Sequence, residues 1–164
     1  WSTNAGEFQP FIEGTFITKY DLEDPQAGNV DGAGRRNFTN FGTSTPELRF
    51  NAGIGWLNGA HSANLFVRYT SAYDDDQNCS DATLPVAGAC GAGFFEIDSQ
   101  TTIDAQYSVD TAVLLDREVA PILTLGVINA GGEEPPQVFT NGGFDSKVHD
   151  PRGRMIYLRL KQAF

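Results

Sequence analysis

The chain has one methionine, two histidines and no apolar run approaching the roughly 20 residues that a membrane-crossing helix needs. No transmembrane helix can be drawn in it. Basic residues are also scarce, with 11 Lys and Arg against 21 Asp and Glu, for a formal net charge of −10. Nucleic-acid phosphates call for a basic face, so no nucleic-acid partner is expected. The opening stretch WSTNAGEF has neither the charged start nor the apolar stretch of a signal peptide, and no starting Met. The chain reads as a mature product or as a piece of something longer.

Catalytic constellations are missing as well. No Ser/His/Asp or Cys/His arrangement can be defended, and GAGRR and GAGFF lack the strand-then-helix context of a phosphate loop. His61 beside an Asn-Gly turn and His149 in a Gly-rich loop read as surface residues. The run Asp74, Asp75, Asp76 offers hard oxygen ligands of the kind calcium takes, but it reads more simply as a solvated loop. Asp98 and Asp104 alternate along one expected strand, and acid–base chemistry would need a shaped pocket around them. The expectation is no enzyme, no cofactor and no bound metal.

What the sequence does have is glycine, 18 residues of it, and aromatics at 12%, a composition that leans toward β structure with many turns. In PELRFNAGIGW the residues Leu48, Phe50, Ala52, Ile54 and Trp56 are apolar, and Glu47, Arg49, Asn51, Gly53 and Gly55 are polar or small. A period of two marks a strand with one apolar face. Asn58-Gly59 then signals a hairpin. HSANLFVRYTSAY puts Ala63, Leu65, Val67, Tyr69 and Tyr73 opposite Asn64, Arg68 and Thr70, with Phe66 out of pattern. FEIDSQTTIDAQYSV sets Glu96, Asp98, Gln100, Thr102, Asp104, Gln106 and Ser108 against Ile97, Thr101, Ile103, Ala105, Tyr107 and Val109. PILTLGVINA, RMIYLRLKQAF and a mixed FQPFIEGTFITKY complete six expected strands. DTAVLLDREVA allows one helical turn.

The fold expected is all-β, an antiparallel up-and-down meander of about six strands. Long links near 21–45, 74–95 and 130–153 alternate with shorter ones, so they fall on one rim, as in an outer-membrane barrel. Leu48, Phe50, Ile54, Leu158 and Leu160 would then face lipid, and Arg49, Arg68, Asp98, Gln100, Asp104 and Arg159 the lumen. Trp56, Tyr69, Tyr73 and Tyr107 would sit toward strand ends, where aromatic girdles lie. Cys79 and Cys90 share a polar loop and are expected to pair in an oxidising compartment, stabilising it by roughly 3 kcal/mol.

The segments GTFITKYDLEDP, GAGRRNFTNFGTSTPELRFNAGIGW, LTLGVINAGGEEPP and HDPRGRMIYLRLKQAF resemble the C-terminal barrel region of TonB-dependent outer-membrane receptors. The resemblance spans residues 1–164, the most specific part being GVINA with its acidic Pro-Pro, then DPRGR and the aromatic-ended strand. It implies part of a 22-stranded barrel closed by a plug domain. Such receptors sit in the outer membrane of Gram-negative bacteria and import scarce nutrients with energy passed through the TonB complex. The implied ligand is an iron chelate, cobalamin or an oligosaccharide. The implied partners are the remaining barrel and plug, TonB, the barrel-assembly machinery and outer-membrane lipid. Phe164 resembles the terminal signal that the assembly machinery reads. Plug and TonB box are not in the sequence, and six strands fall short of the roughly eight that close a small barrel. The alternative is a secreted β-rich structural or adhesive subunit, completed by strand exchange with neighbouring chains.

Overall fold

The computed structural model describes residues 1–24, 28–38, 42–79, 94–138 and 142–162. In chain order its elements are β1 (Ser2–Thr3), β2 (Gly6–Phe16), β3 (Asp21–Asp24), β4 (Gly28–Asp31), β5 (Leu48–Asn58), β6 (His61–Thr70), β7 (Tyr73–Cys79), β8 (Phe94–Ile97), β9 (Gln100–Asp110), α1 (Thr111–Leu115), β10 (Ile122–Ile128) and β11 (Met155–Lys161). Seven of these strands form one antiparallel sheet in the order β1-β2-β5-β6-β9-β10-β11, and the sheet does not close into a barrel. The six expected strands are all in it, and β1 adds two residues to one edge. Pro10 sits in β2, where only a short partner covers the outer side, as a residue without an amide proton requires.

The links sort by length. Residues 4–5, 59–60 and 111–121 join strands at one end, and 17–47, 71–99 and 129–154 at the other. The tight turn after β5 works because Gly59 takes a positive φ of 58°, the left-handed conformation a two-residue hairpin link demands. α1 forms the expected helical turn, with the Asp110 carboxylate accepting from the Ala112 and Val113 amides.

Two expectations need correcting. The strand expected over FEIDSQTTIDAQYSV is interrupted at Asp98 and Ser99, and its mate is interrupted at Ser71 and Ala72. Thr70 pairs with Gln100 and Tyr73 with Ile97, so the register carries across the break, where the hairpin bends, and shifts only beyond it, between Asp75 and Cys79. The bend takes Tyr73 and Ile97 off the sheet into a small core with Val138, against which Val148 packs. Tyr73 is therefore no girdle residue. Asp98 is exposed in the break and belongs to neither sheet face.

Candidate functional site

Because side chains alternate along each strand, the register settles both faces of the sheet. One face carries Ile12 on β2, Leu48 to Trp56 on the even positions of β5, and Ala63 to Tyr69 on the odd positions of β6. It continues through Thr101 to Val109 on β9, Leu123 to Val127 on β10, and Ile156, Leu158 and Leu160 on β11. This face is almost wholly apolar, and no described residue outside the sheet covers it. Leu158 is 76% exposed and Ile156 74%. An exposed apolar area of this extent marks an interaction surface. The described core, Tyr73, Ile97 and Val138, is confined to the long-loop end. β2, β5 and β9 are 11 residues long and β6 is 10, matching the roughly 9–11 that carry a tilted strand across a hydrocarbon core. β10 and β11 have 7 each, β10 ending where Asn129 turns to φ 50°.

Aromatic rings mark both ends of this face. Phe50 and Tyr69 lie with centroids 5.1 Å apart toward the long loops. Trp56 and Tyr107 flank Ala63 in one cross-strand row near the short turns. There the Tyr107 hydroxyl meets His61 Nδ1 at 2.6 Å, and the Trp56 indole donates to the Ala5 carbonyl at 2.8 Å.

The opposite face is a polar ladder. Arg49, Arg68, Gln100, Asp104 and Arg159 all lie on it. The Arg68 guanidinium is paired with the Asp104 carboxylate, whose other oxygen accepts the Asn129 amide at 2.9 Å. Asn51 donates to Glu13, Ser108 bonds Thr124, and Tyr157 donates to Gln106. Phe66, the exception in its strand's pattern, meets Phe11 with centroids 5.8 Å apart. Gly53 lies between them in the register, and a Cβ there would stand 2.4 Å from the Phe11 ring. A cleft of about 140 Å³ opens where this face meets the last long loop, lined by Arg68, Gln100, Asp104, Asn129, Asp150 and Arg152. Hydrogen bonds from Arg152 hold the Asp150 carboxyl down at about 2.

The three long loops are joined at Asp145, which is buried. Its Oδ2 accepts from Ser44 at 2.6 Å and from Tyr73 at 3.2 Å, and its Oδ1 accepts the Lys147 amide. Burial, and then the Asp145 charge, hold the Tyr73 hydroxyl well above the ordinary tyrosine range. Arg36 pairs with Asp75 at 3.1 Å and donates to Gln77, while the Asp76 carboxylate accepts the Phe38 amide. Asp75 and Asp76 of the acidic run are thus buried in the loop framework, and Asp74 is half-buried beside them. The run's solvated reading was wrong because Arg36 and the Phe38 amide come to it from a distant segment. Among the described residues no group of three or more His, Cys, Asp or Glu could hold a metal ion.

His149 is a second correction. It is 4% exposed, stacked on Tyr73, with Nδ1 donating to the Gln100 side-chain carbonyl at 2.8 Å. Its Nε2 has no hydrogen-bond partner among the described residues, and burial lowers the ring's pKa. Nothing in the sequence around His149 signals this role. For Asp145 the one local signal was the Asx pattern that its Oδ1 makes with the Lys147 amide.

The expected Cys79–Cys90 bond lies outside the described residues because Cys90 does, and so does Phe164. Comparison with protein-family models, with curated proteins and with solved structures finds nothing that matches this chain.

Proposed function

We propose that this chain is part of the wall of an outer-membrane, TonB-dependent nutrient importer, with its apolar face toward lipid and its polar face toward a watery lumen. One observation carries the reading: a seven-stranded sheet that no other described residue covers on its apolar face, polar on the opposite face, with the long links joining its strands at one rim. Those three features together are what a membrane barrel requires. An open sheet cannot stand in hydrocarbon with its edges unpaired, so further strands must flank β2 and β11. In this reading a longer receptor supplies them, together with the plug through which TonB acts. The barrel-assembly machinery inserts the product.

The loop cluster suits capture of a small nutrient at the outer rim, because hydrogen bonds and an ion pair already order its main segments before a ligand arrives. The candidate ligands are an iron chelate, cobalamin or an oligosaccharide. The test is uptake by a strain deleted for the gene that carries this chain. It should lose energy-dependent accumulation of one of these three classes, and a proton ionophore should abolish that uptake in the parent strain while leaving surface binding. Release of the protein from cells without detergent, and uptake unaffected by deletion, would favour the secreted subunit completed by strand exchange.

A further inference from the structure

The apolar face is not evenly paved. It holds an open trough of about 530 Å³ whose exposed lining is almost entirely carbon. Its origin lies in the register. Across one row stand Trp56, Ala63, Tyr107 and Leu125, and across the next Ile54, Leu65, Ala105 and Val127. Each row has one methyl side chain among large ones. The two alanines lie on adjacent strands, one row apart, so the gaps they leave merge into a diagonal depression. The volume falls within the roughly 300–1,000 Å³ of sites that hold one small organic molecule.

The ends of the trough differ. Toward the long loops the next row is Ile12, Ala52, Val67 and Ile103, with no polar side chain. Toward the short turns stand the Tyr107–His61 pair and Asn58, which faces His61 across the hairpin and gives one amide hydrogen to the Ala5 carbonyl at 3.4 Å. In the tautomer whose Nδ1 accepts the Tyr107 hydroxyl, Nε2 carries the His61 proton and can donate outward. A channel of carbon with hydrogen-bond donors at one end only fits an amphiphile. A second packed sheet would meet a gap where it needs a ridge.

We propose that this trough holds one acyl chain of a membrane glycerophospholipid, whose phosphate lies against His61 and Asn58 at the short-turn rim. The proposal rests on the reading that the apolar face meets lipid, and it adds a specific lipid site to that face. The Ala63 and Ala105 methyls set the depth of the site, and the Tyr107–His61 pair sets the position of the headgroup along the strands.

The test is phospholipid retained by the chain together with the strands that complete its sheet, purified in mild detergent and analysed by native mass spectrometry after graded washing. Phosphatidylglycerol is supplied as the probe. Wild type should keep one phospholipid through washes that strip the rest. Ala63→Leu with Ala105→Leu fills the trough and should lower retention several-fold. Ala52→Leu, on the same face outside the trough, should leave it unchanged, and His61→Ala should weaken it. Equal retention by wild type and the filled variant would overturn the site, as would a lipid-free two-copy assembly that the filled variant disrupts. Should the filled variant not fold, a phosphatidylglycerol with a photoreactive chain must label wild-type peptides carrying Ala63 and Ala105 above those carrying Ile12, and even labelling would overturn the site. A wild-type chain that stays in solution without detergent would sink the lipid-facing reading itself. A detergent-requiring chain with no trough-dependent lipid would sink only the site.

Discussion

Ser44 and Asp145 stand 101 residues apart in the chain and meet in a 2.6 Å hydrogen bond. The same carboxylate oxygen takes the Tyr73 hydroxyl, so one side chain ties the loop before β5, the bent hairpin above β6 and the loop before β11. Asp145→Ala removes the acceptor of two buried hydroxyls, of which Ser44 can turn to the Arg36 carbonyl at 3.2 Å while Tyr73 loses its bond. The expected cost to the loop cluster is about 1–3 kcal/mol. Hydrogen exchange should speed up in residues 42–48 and 142–149, and the β5–β6–β9 amides should keep their protection. Unchanged loop exchange would remove Asp145 from the centre of the cluster.

The sheet was legible in the sequence because its signal is local. Leu158 next to Arg159, or Ile103 next to Asp104, announces two faces wherever strands alternate, and hairpin pairing needs only neighbours in the chain. The loop cluster was not legible because its partners are remote. Asp75 looks solvated until Arg36 arrives from 39 residues away, and His149 looks like a surface residue until Tyr73 and Gln100 close over it. The break at Asp98 had the same cause. Ile97 continues the strand's alternation perfectly well, but the demand that moves it off the sheet comes from Val138 in another loop.

His149 makes that cluster sensitive to pH. Its folded pKa is lowered from 6.5, with burial as the largest cause, the Asp145 charge working against that and the Arg49 charge with it. Between the folded value and 6.5 the unfolded or opened loop binds more protons than the closed one, so closure weakens as pH falls through that window. Above about 6.5 the ring is neutral in both states and adds no pH dependence. Amides of residues 142–149 should exchange faster, relative to intrinsic rates, at pH 5 than at pH 8. His149→Phe should flatten that difference, and an unchanged pH dependence in the variant would assign it to other groups.

On the polar face, Asp104 should matter more than its partner Arg68. The Arg68 side chain is 47% exposed and the pair is open to solvent, so Arg68→Ala should cost at most about 1 kcal/mol. Asp104→Ala also strips the Asn129 amide of its acceptor at the root of the last long loop, adding about 1–3 kcal/mol. Denaturation of the two variants should separate them in that order. Equal effects would mean that the Asn129 contact contributes little.

The two faces of β11 should respond oppositely to charge. Leu158→Arg should cost about 2–4 kcal/mol near a bilayer midplane. In water the same exposed site would tolerate the change within about 0.5 kcal/mol. Arg159→Leu, one residue on, should be mild in either setting. Folding titrations of both variants in phospholipid vesicles read the difference directly. A neutral Leu158→Arg would argue against hydrocarbon at that face.

The most direct measurement is accessibility along β11 in a bilayer. Spin labels are placed in turn on single cysteines at positions 156 to 160, in a background where Cys79 and Cys90 are replaced, and the protein is folded into phospholipid vesicles with the strands that complete its sheet. Relaxation by oxygen, which concentrates in hydrocarbon, is compared with relaxation by a water-soluble nickel chelate. Labels at 156, 158 and 160 should respond to oxygen and those at 157 and 159 to nickel, a period of two in opposite phase for the two reagents. Strong nickel response at all five positions would contradict a lipid-facing sheet, and the reverse phase would place the polar ladder against the membrane.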